Sequence, residues 1–160
     1  MLNIRPADQA QDREQAARLM AATDPWLTLN IGNERALAMM HTPGREHFIA
    51  ELDGAFAGFL VLNCNGPLAG YLQTVGVTES CRGRGIGSVL VGFAEQRIFR
   101  DHANVFLCVS SFNQGAQRLY RRLGYETVGE LGNYLVDGQS ELLMRKTRGP
   151  ILDYTPPPAV

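Results

Sequence analysis

A chain of 160 residues with 45% hydrophobic and 19% charged residues and a formal net charge of -1 has the make-up of an ordinary globular protein, sized for a single hydrophobic core. That balance, without a long basic run, excludes a strong electrostatic footprint for nucleic acid. Met1 to Arg13 are too polar for a signal peptide, and the longest apolar run, Ala55 to Leu62, falls far short of the roughly 20 residues a membrane span needs, so a cytoplasmic protein is expected. Three cysteines, Cys64, Cys81 and Cys108, without a CxxC argue against a disulfide framework and a zinc site. His41, His47 and His102 have no ligand spacing, so no metal is expected.

Residues Leu2 to Arg5 read as a first strand ended by Pro6, and Asp8 is the expected cap of a helix carrying Ala16, Leu19 and Met20 and ending near Thr23. Asp24-Pro25 breaks the chain before a second helix from Asn33 to His41. His47 to Leu52, Ala55 to Leu62 and Tyr71 to Val77 are strand-like, the first two joined by Asp53-Gly54, a strong hairpin signal. Asn65-Gly66-Pro67 marks the next turn. From Ile86 to about Arg100 the apolar positions Ile86, Val89, Leu90, Phe93, Ala94 and Ile98 predict an amphipathic helix. Val105 to Val109 is a buried strand, Asn113 to Leu123 a helix, and Tyr125 to Val136 and Gln139 to Lys146 two strands joined by Asp137-Gly138. The order βααβββαβαββ predicts an α/β protein with a mixed sheet, parallel at its centre and antiparallel at its flanks. Residues 1–147 read as one domain and 148–160 as an extended, loosely attached proline-rich tail.

The junction between the Tyr71 to Val77 strand and the long helix reads TESCRGRGIGS. Glycines at 83, 85 and 87 let backbone amides turn toward one point, and the helix N-terminus adds partial positive charge. Such a segment suits a pyrophosphate, with Arg82 and Arg84 at the rim, and it also suits a plain flexible turn. Its GxGxG spacing differs from the GxGxxG of a dinucleotide fold, and no GK[ST] follows as in a P-loop.

Arg82, Gly85 and Gly87 match a [QR]xxGxG/A signature, and Asn113, Ala116, Leu119, Tyr120, Gly124 and Tyr125 match NxxAxxLYxxxGF downstream. On both motifs the chain resembles the GNAT acetyltransferase superfamily. The resemblance implies a GNAT fold with splayed central parallel strands and acetyl-CoA as cosubstrate. It also implies pantetheine contacts from Val75, Gly76 and Val77, pyrophosphate contacts from Arg82, Gly83, Arg84, Gly85, Ile86, Gly87 and Ser88, and cofactor contacts from Asn113 and Tyr120. Glycine at 76 weakens an ordinary strand, which fits either close backbone approach or a simple bulge.

Tyr120 matches the tyrosine that protonates the departing CoA thiolate. A phenol with a pKa of about 10 is protonated at neutral pH and able to donate. Ala116, Leu119 and Leu123 share its helical face, so a core role is the alternative. Peptide-modifying members often carry Glu or His where this chain has Cys108. Cys108, Tyr71, Glu79 and Glu141, with Glu51, are the candidate base or acceptor-site residues, and an amine that enters already neutral is the alternative. Tyr71 in YLQTVGV and Asn133-Tyr134 before the DG turn resemble features of the ribosomal-protein and peptide N-terminal branch. Acceptor specificity is expected from Asp24, Trp26, Glu34, Tyr134 and Glu141. A lone Trp beside a proline is more often a packed anchor than an ammonium cradle. The implied activity is transfer of acetyl from acetyl-CoA to a peptide or small-molecule amine, with no nucleic-acid or membrane partner and a homodimer as a family-level expectation. A noncatalytic acyl-CoA-binding domain is the alternative.

Overall fold

The computed structural model describes residues 1–158. Its strands are β1 Leu2–Pro6, β2 Glu46–Leu52, β3 Ala55–Asn63, β4 Tyr71–Val77, β5 Asn104–Ser110, β6 Glu126–Gly132 and β7 Ser140–Thr147, and its helices are α1 Ala10–Ala22, α2 Asn33–Met40, α3 Ile86–Ile98 and α4 Gln114–Arg122. Short 3-10 turns lie at Glu79–Cys81 and Ile151–Asp153. The order is the expected βααβββαβαββ, in one seven-stranded sheet ordered β1-β2-β3-β4-β5-β7-β6. β4 and β5 are parallel, with register at Tyr71–Phe106. The β1–β2, β2–β3, β5–β7 and β6–β7 pairs are antiparallel. Among the described residues no helix is long and apolar enough to cross a membrane.

The chain divides into two compact units. The first comprises Met1–Leu62 and Thr74–Gly92. Its core joins Ala16, Ala17 and Met20 of α1, Ala36 and Met40 of α2, and Ile49, Phe59 and Val61 of the strands, with Trp26 closing it. Trp26 is 9% exposed, with its ring 6.1 Å from that of Phe59, so it is a packed anchor. The expected Asp8 cap is corrected: Gln9 is the N-cap of α1. Asp12, three residues on, accepts from the Gln9 amide at 3.0 Å and takes two bonds from Arg5 of β1 at 2.7 and 2.9 Å. One carboxylate thus caps the helix and ties it to the sheet, while Asp8 is exposed. Asp53 and Gly54 both have positive φ, 52° and 81°, as a two-residue hairpin turn of the predicted kind requires.

Gly58 and Gly76 are glycines for lack of room. A Cβ at Gly58 would lie 2.4 Å from the Gly76 carbonyl oxygen, and one at Gly76 would lie 2.6 Å from Phe59 Cε1 and 3.1 Å from Trp26.

The second unit comprises Asn63–Gln73 and the chain from Phe93 onward. Val105, Leu107 and Val109 of β5 are buried, as is Met144 of β7. The Lys146 ammonium on β7 meets Glu95 of α3 at 2.7 Å. β6 was expected to run to Val136 and stops at Gly132. Asn133 has a φ of 54°, its Oδ1 accepts from the Gly138 amide at 2.8 Å, and its amide donates to the Gln139 carbonyl at 2.9 Å. These bonds close a turn of which Asp137-Gly138 is one part, leaving Tyr134 and Leu135 exposed. The tail is anchored as far as Tyr154: its hydroxyl donates to the Phe99 carbonyl, and the Arg148 guanidinium lies 4.2 Å from the centre of the Phe99 ring. Residues 159–160, the end of the expected loose tail, lie outside the described residues.

Candidate functional site

In the first unit the end of β4 leads into the glycine-rich junction. The Thr78 amide donates to the Ala57 carbonyl at 2.9 Å, and buried Cys81 and Ile86 pin the two ends of the loop. Arg82, Gly83, Arg84 and Gly85 between them are all exposed. Gly83 and Gly85 have φ of 71° and 79°, and a Cβ at either would meet nothing within 4 Å. Glycine is there for the left-handed backbone, since there is room for a side chain. The first helical bond of α3 runs from the Val89 amide to the Gly85 carbonyl at 3.2 Å. The amides of Ile86, Gly87 and Ser88 are therefore the ones a helix start leaves without an internal acceptor. Two arginines, two left-handed glycines and a helix N-terminus make this loop chemically suited to a pyrophosphate.

β4 carries Val75, Gly76 and Val77 toward that loop. The side of Gly76 where a Cβ would stand faces Phe59 and Trp26, so core packing accounts for this glycine.

In the second unit Asn113 is the N-cap of α4, its Oδ1 accepting from the Ala116 amide at 3.2 Å. Tyr120, about two turns further along α4, is 6% exposed and meets the Tyr125 ring edge-on, with centroids 5.7 Å apart. Burial alone pushes its phenol above the ordinary value. The same side chain is thus a core member and a firmly protonated hydroxyl.

The register of β5 with β7 pairs Ser110 with Glu141 and Cys108 with Leu143. Ser110, Cys108 and Glu141 therefore point to one face of the sheet, and Tyr71, paired with Phe106, joins them. Ser110 Oγ donates to Glu141 Oε1 at 2.6 Å. Burial raises the Glu141 carboxyl above the ordinary range, and the Ser110 bond partly offsets this. Burial also raises the Tyr71 phenol, with Cys108, then Tyr134 and then Glu141 as the further causes. Cys108 is raised by burial, countered by Tyr71. Of the residues singled out from sequence as base or acceptor-site groups, the fold brings Tyr71, Cys108 and Glu141 together. Glu79 is exposed on the 3-10 turn after β4, and Glu51 is held by Arg5 at 2.8 Å. Asp24 accepts from the Thr28 hydroxyl at 2.7 Å, and Glu34 is exposed in the first turn of α2.

Ser110 and Gln117 escaped the sequence reading. Gln117 is 7% exposed and donates to the carbonyls of Ser110 and Ser111 at 3.1 and 2.9 Å, fixing the end of β5. The signal that would have found Ser110 is its register with Glu141, and the intervening α4 and β6 hide it.

The description Acetyltransferase (GNAT) family matches residues 8–125. The N-alpha-acetyltransferase RimI of Mycobacterium tuberculosis is 31% identical to this chain over 148 residues, 89% of either protein. Among solved structures, an aminoglycoside 6'-N-acetyltransferase complexed with coenzyme A matches with a TM-score of 0.75 at 21% identity, over 94% of this chain and 98% of that one. The ribosomal-protein-S18-alanine N-acetyltransferase from Escherichia coli matches with a TM-score of 0.74 at 18% identity, over 92% and 94%. At such identities the two structures speak to the fold alone.

Proposed function

We propose that this chain, which belongs to the acetyltransferase (GNAT) family and is an acetyl-CoA-dependent N-acetyltransferase, passes the acetyl group directly to a primary amine, with Tyr120 as general acid. The acceptor is a peptide N-terminus or a small amine, and similarity to an N-alpha-acetyltransferase favours the peptide. A family whose cosubstrate is acetyl-CoA supports a cytoplasmic location.

The single observation that carries the reading is the β4-to-α3 junction. There, the end of β4 leads into exposed arginines, two left-handed glycines in open space and the free amides of a helix start. In this reading Val75, Gly76 and Val77 hydrogen-bond the pantetheine through their backbone. The amides from Arg82 to Ser88 take the pyrophosphate, with the Arg82 and Arg84 side chains adding charge-assisted bonds at its edge. Asn113, whose Oδ1 caps α4, has its side-chain NH2 left to contact the cofactor arm.

Direct transfer requires a neutral nitrogen held against the thioester carbon, so much of the acceleration is positional. As the C–N bond forms and the C–S bond breaks, the sulfur needs a proton. A buried phenol whose pKa is raised by burial alone is protonated at every pH at which the enzyme would work, and donates to a thiolate formed beside it. The test is calorimetry with acetyl-CoA, followed by CoA release with an alanine-initiated peptide, a lysine peptide, spermidine and kanamycin. Binding with turnover on one of these amines is the expected result, and absence of acetyl-CoA binding would remove the reading.

A further inference from the structure

We propose that Glu141, oriented by Ser110, is the base that takes the proton from the acceptor's ammonium, in place of the carboxylate or imidazole that position 108 lacks. The inference rests on the proposed function and names a group it leaves open.

Glu141 sits on β7 directly opposite Ser110 of β5 and is 4% exposed. The Ser110 hydroxyl donates to Oε1 at 2.6 Å, a short charge-assisted bond that fixes the carboxyl group. Oε2 has no hydrogen-bond partner among the described residues and is not among the fully enclosed polar atoms. The carboxylate is therefore held at one oxygen and open at the other. The titratable groups that face it are Tyr71 from β4 and Cys108 from β5, and on β6 its register partner is Leu131. Among the described residues no Lys, Arg or His forms an ion pair with it.

A buried carboxylate without a cation is costly for a fold to keep, and an arriving ammonium supplies the missing charge. Glu51 and Asp12 show the contrast, since both are neutralised by Arg5. A carboxyl group raised by burial is also a stronger base than an exposed one.

The step balances as follows. The ammonium gives one proton to Glu141 Oε2, and the freed lone pair forms the bond to the acetyl carbon. The C–S electron pair moves to sulfur, which takes the Tyr120 proton. The second nitrogen proton restores the Tyr120 phenol, and Glu141 releases its proton to water.

The experiment compares wild type with Glu141→Gln and Ser110→Ala, using the amine of the panel that wild type turns over best. Glu141→Gln preserves the Ser110 bond and the volume. Its kcat/KM at neutral pH is expected to fall about 10²- to 10⁴-fold, with acetyl-CoA affinity unchanged. The wild-type kcat/KM should climb with pH through a carboxyl pKa above the ordinary range. In Glu141→Gln that limb disappears, and the rise follows the acceptor's own ionisation. Ser110→Ala, which removes the bond that lowers the carboxyl pKa, should move the limb to higher pH. With methoxyamine, already neutral at pH 7, the deficit of Glu141→Gln should largely vanish. A Glu141→Gln enzyme within twofold of wild type and with the same acid limb overturns the assignment while leaving the proposed function intact. A wild type that binds acetyl-CoA and turns over none of the amines overturns both.

Discussion

Replacing Gly85 by alanine separates backbone conformation from space at the proposed phosphate loop. Gly85 has a φ of 79°, and a Cβ there meets nothing within 4 Å. The substitution therefore costs only the left-handed penalty of an L-residue, about 1–2 kcal/mol. Because Arg82 to Gly85 are exposed, the loop relieves that penalty by local rearrangement, and its amides lose their common aim. If binding requires the left-handed loop, the competent fraction falls, and at about 1.4 kcal/mol per tenfold the Kd for CoA rises roughly 5- to 30-fold. Calorimetry with CoA and with acetylpantetheine, which lacks the pyrophosphate, reads this directly. The expected result is weaker CoA binding with acetylpantetheine unaffected. An unchanged CoA affinity, or an equal loss for both ligands, would refute the claim that these amides hold the pyrophosphate.

Tyr120→Phe should lower kcat about 10²-fold or more with little change in acetyl-CoA affinity or thermal midpoint, because burial alone shifts this phenol and the ring stays packed on Tyr125. Steady-state CoA release beside a thermal melt reads both, and an undiminished kcat would remove the acid role. Asp12→Asn breaks a carboxylate that is fully buried against Arg5, at a cost of about 3–5 kcal/mol. Arg5 holds the Asp12 carboxyl below its usual range, so the stabilisation is present above the unfolded carboxylate pKa of about 4 and is lost as pH falls through the lower folded value. Urea melts across that range should show a wild-type advantage at pH 7 that disappears in acid, and an advantage that persists in acid would contradict this account of the pair.

Where local chemistry decides the structure, the sequence reading is close. β4 runs from Tyr71 to Val77 as read, the Asp53-Gly54 turn has the two positive φ values its residues favour, and Asn113 caps α4 where the motif begins. It fails where distant contacts decide. Asp8 has the chemistry of a cap, yet Asp12 serves Gln9 because Arg5 on a neighbouring strand draws its carboxylate inward. Tyr134, Leu135 and Val136 look like strand, yet Asn133 bends into the left-handed region and closes a turn with Gln139. Tyr154 looks like part of a loose tail until the Phe99 carbonyl is seen to accept its hydroxyl.

The same division runs through the candidate site. The glycine loop and Tyr120 lie in short contiguous motifs and are legible as such. The Ser110–Glu141 pair is not, because it depends on β5 pairing with β7 across α4 and β6. Gly76 invites a reading as a bulge or a cofactor approach, and only the packing of Phe59 and Trp26 shows why no side chain fits.

The most direct test of the central claim is mass spectrometry of the amine panel after incubation with acetyl-CoA and enzyme. The account predicts one acetyl group on the amine nitrogen of at least one acceptor, with an equal amount of CoA released and both lost without enzyme. CoA released with every amine unmodified, or acetyl-CoA bound and never consumed, would contradict it.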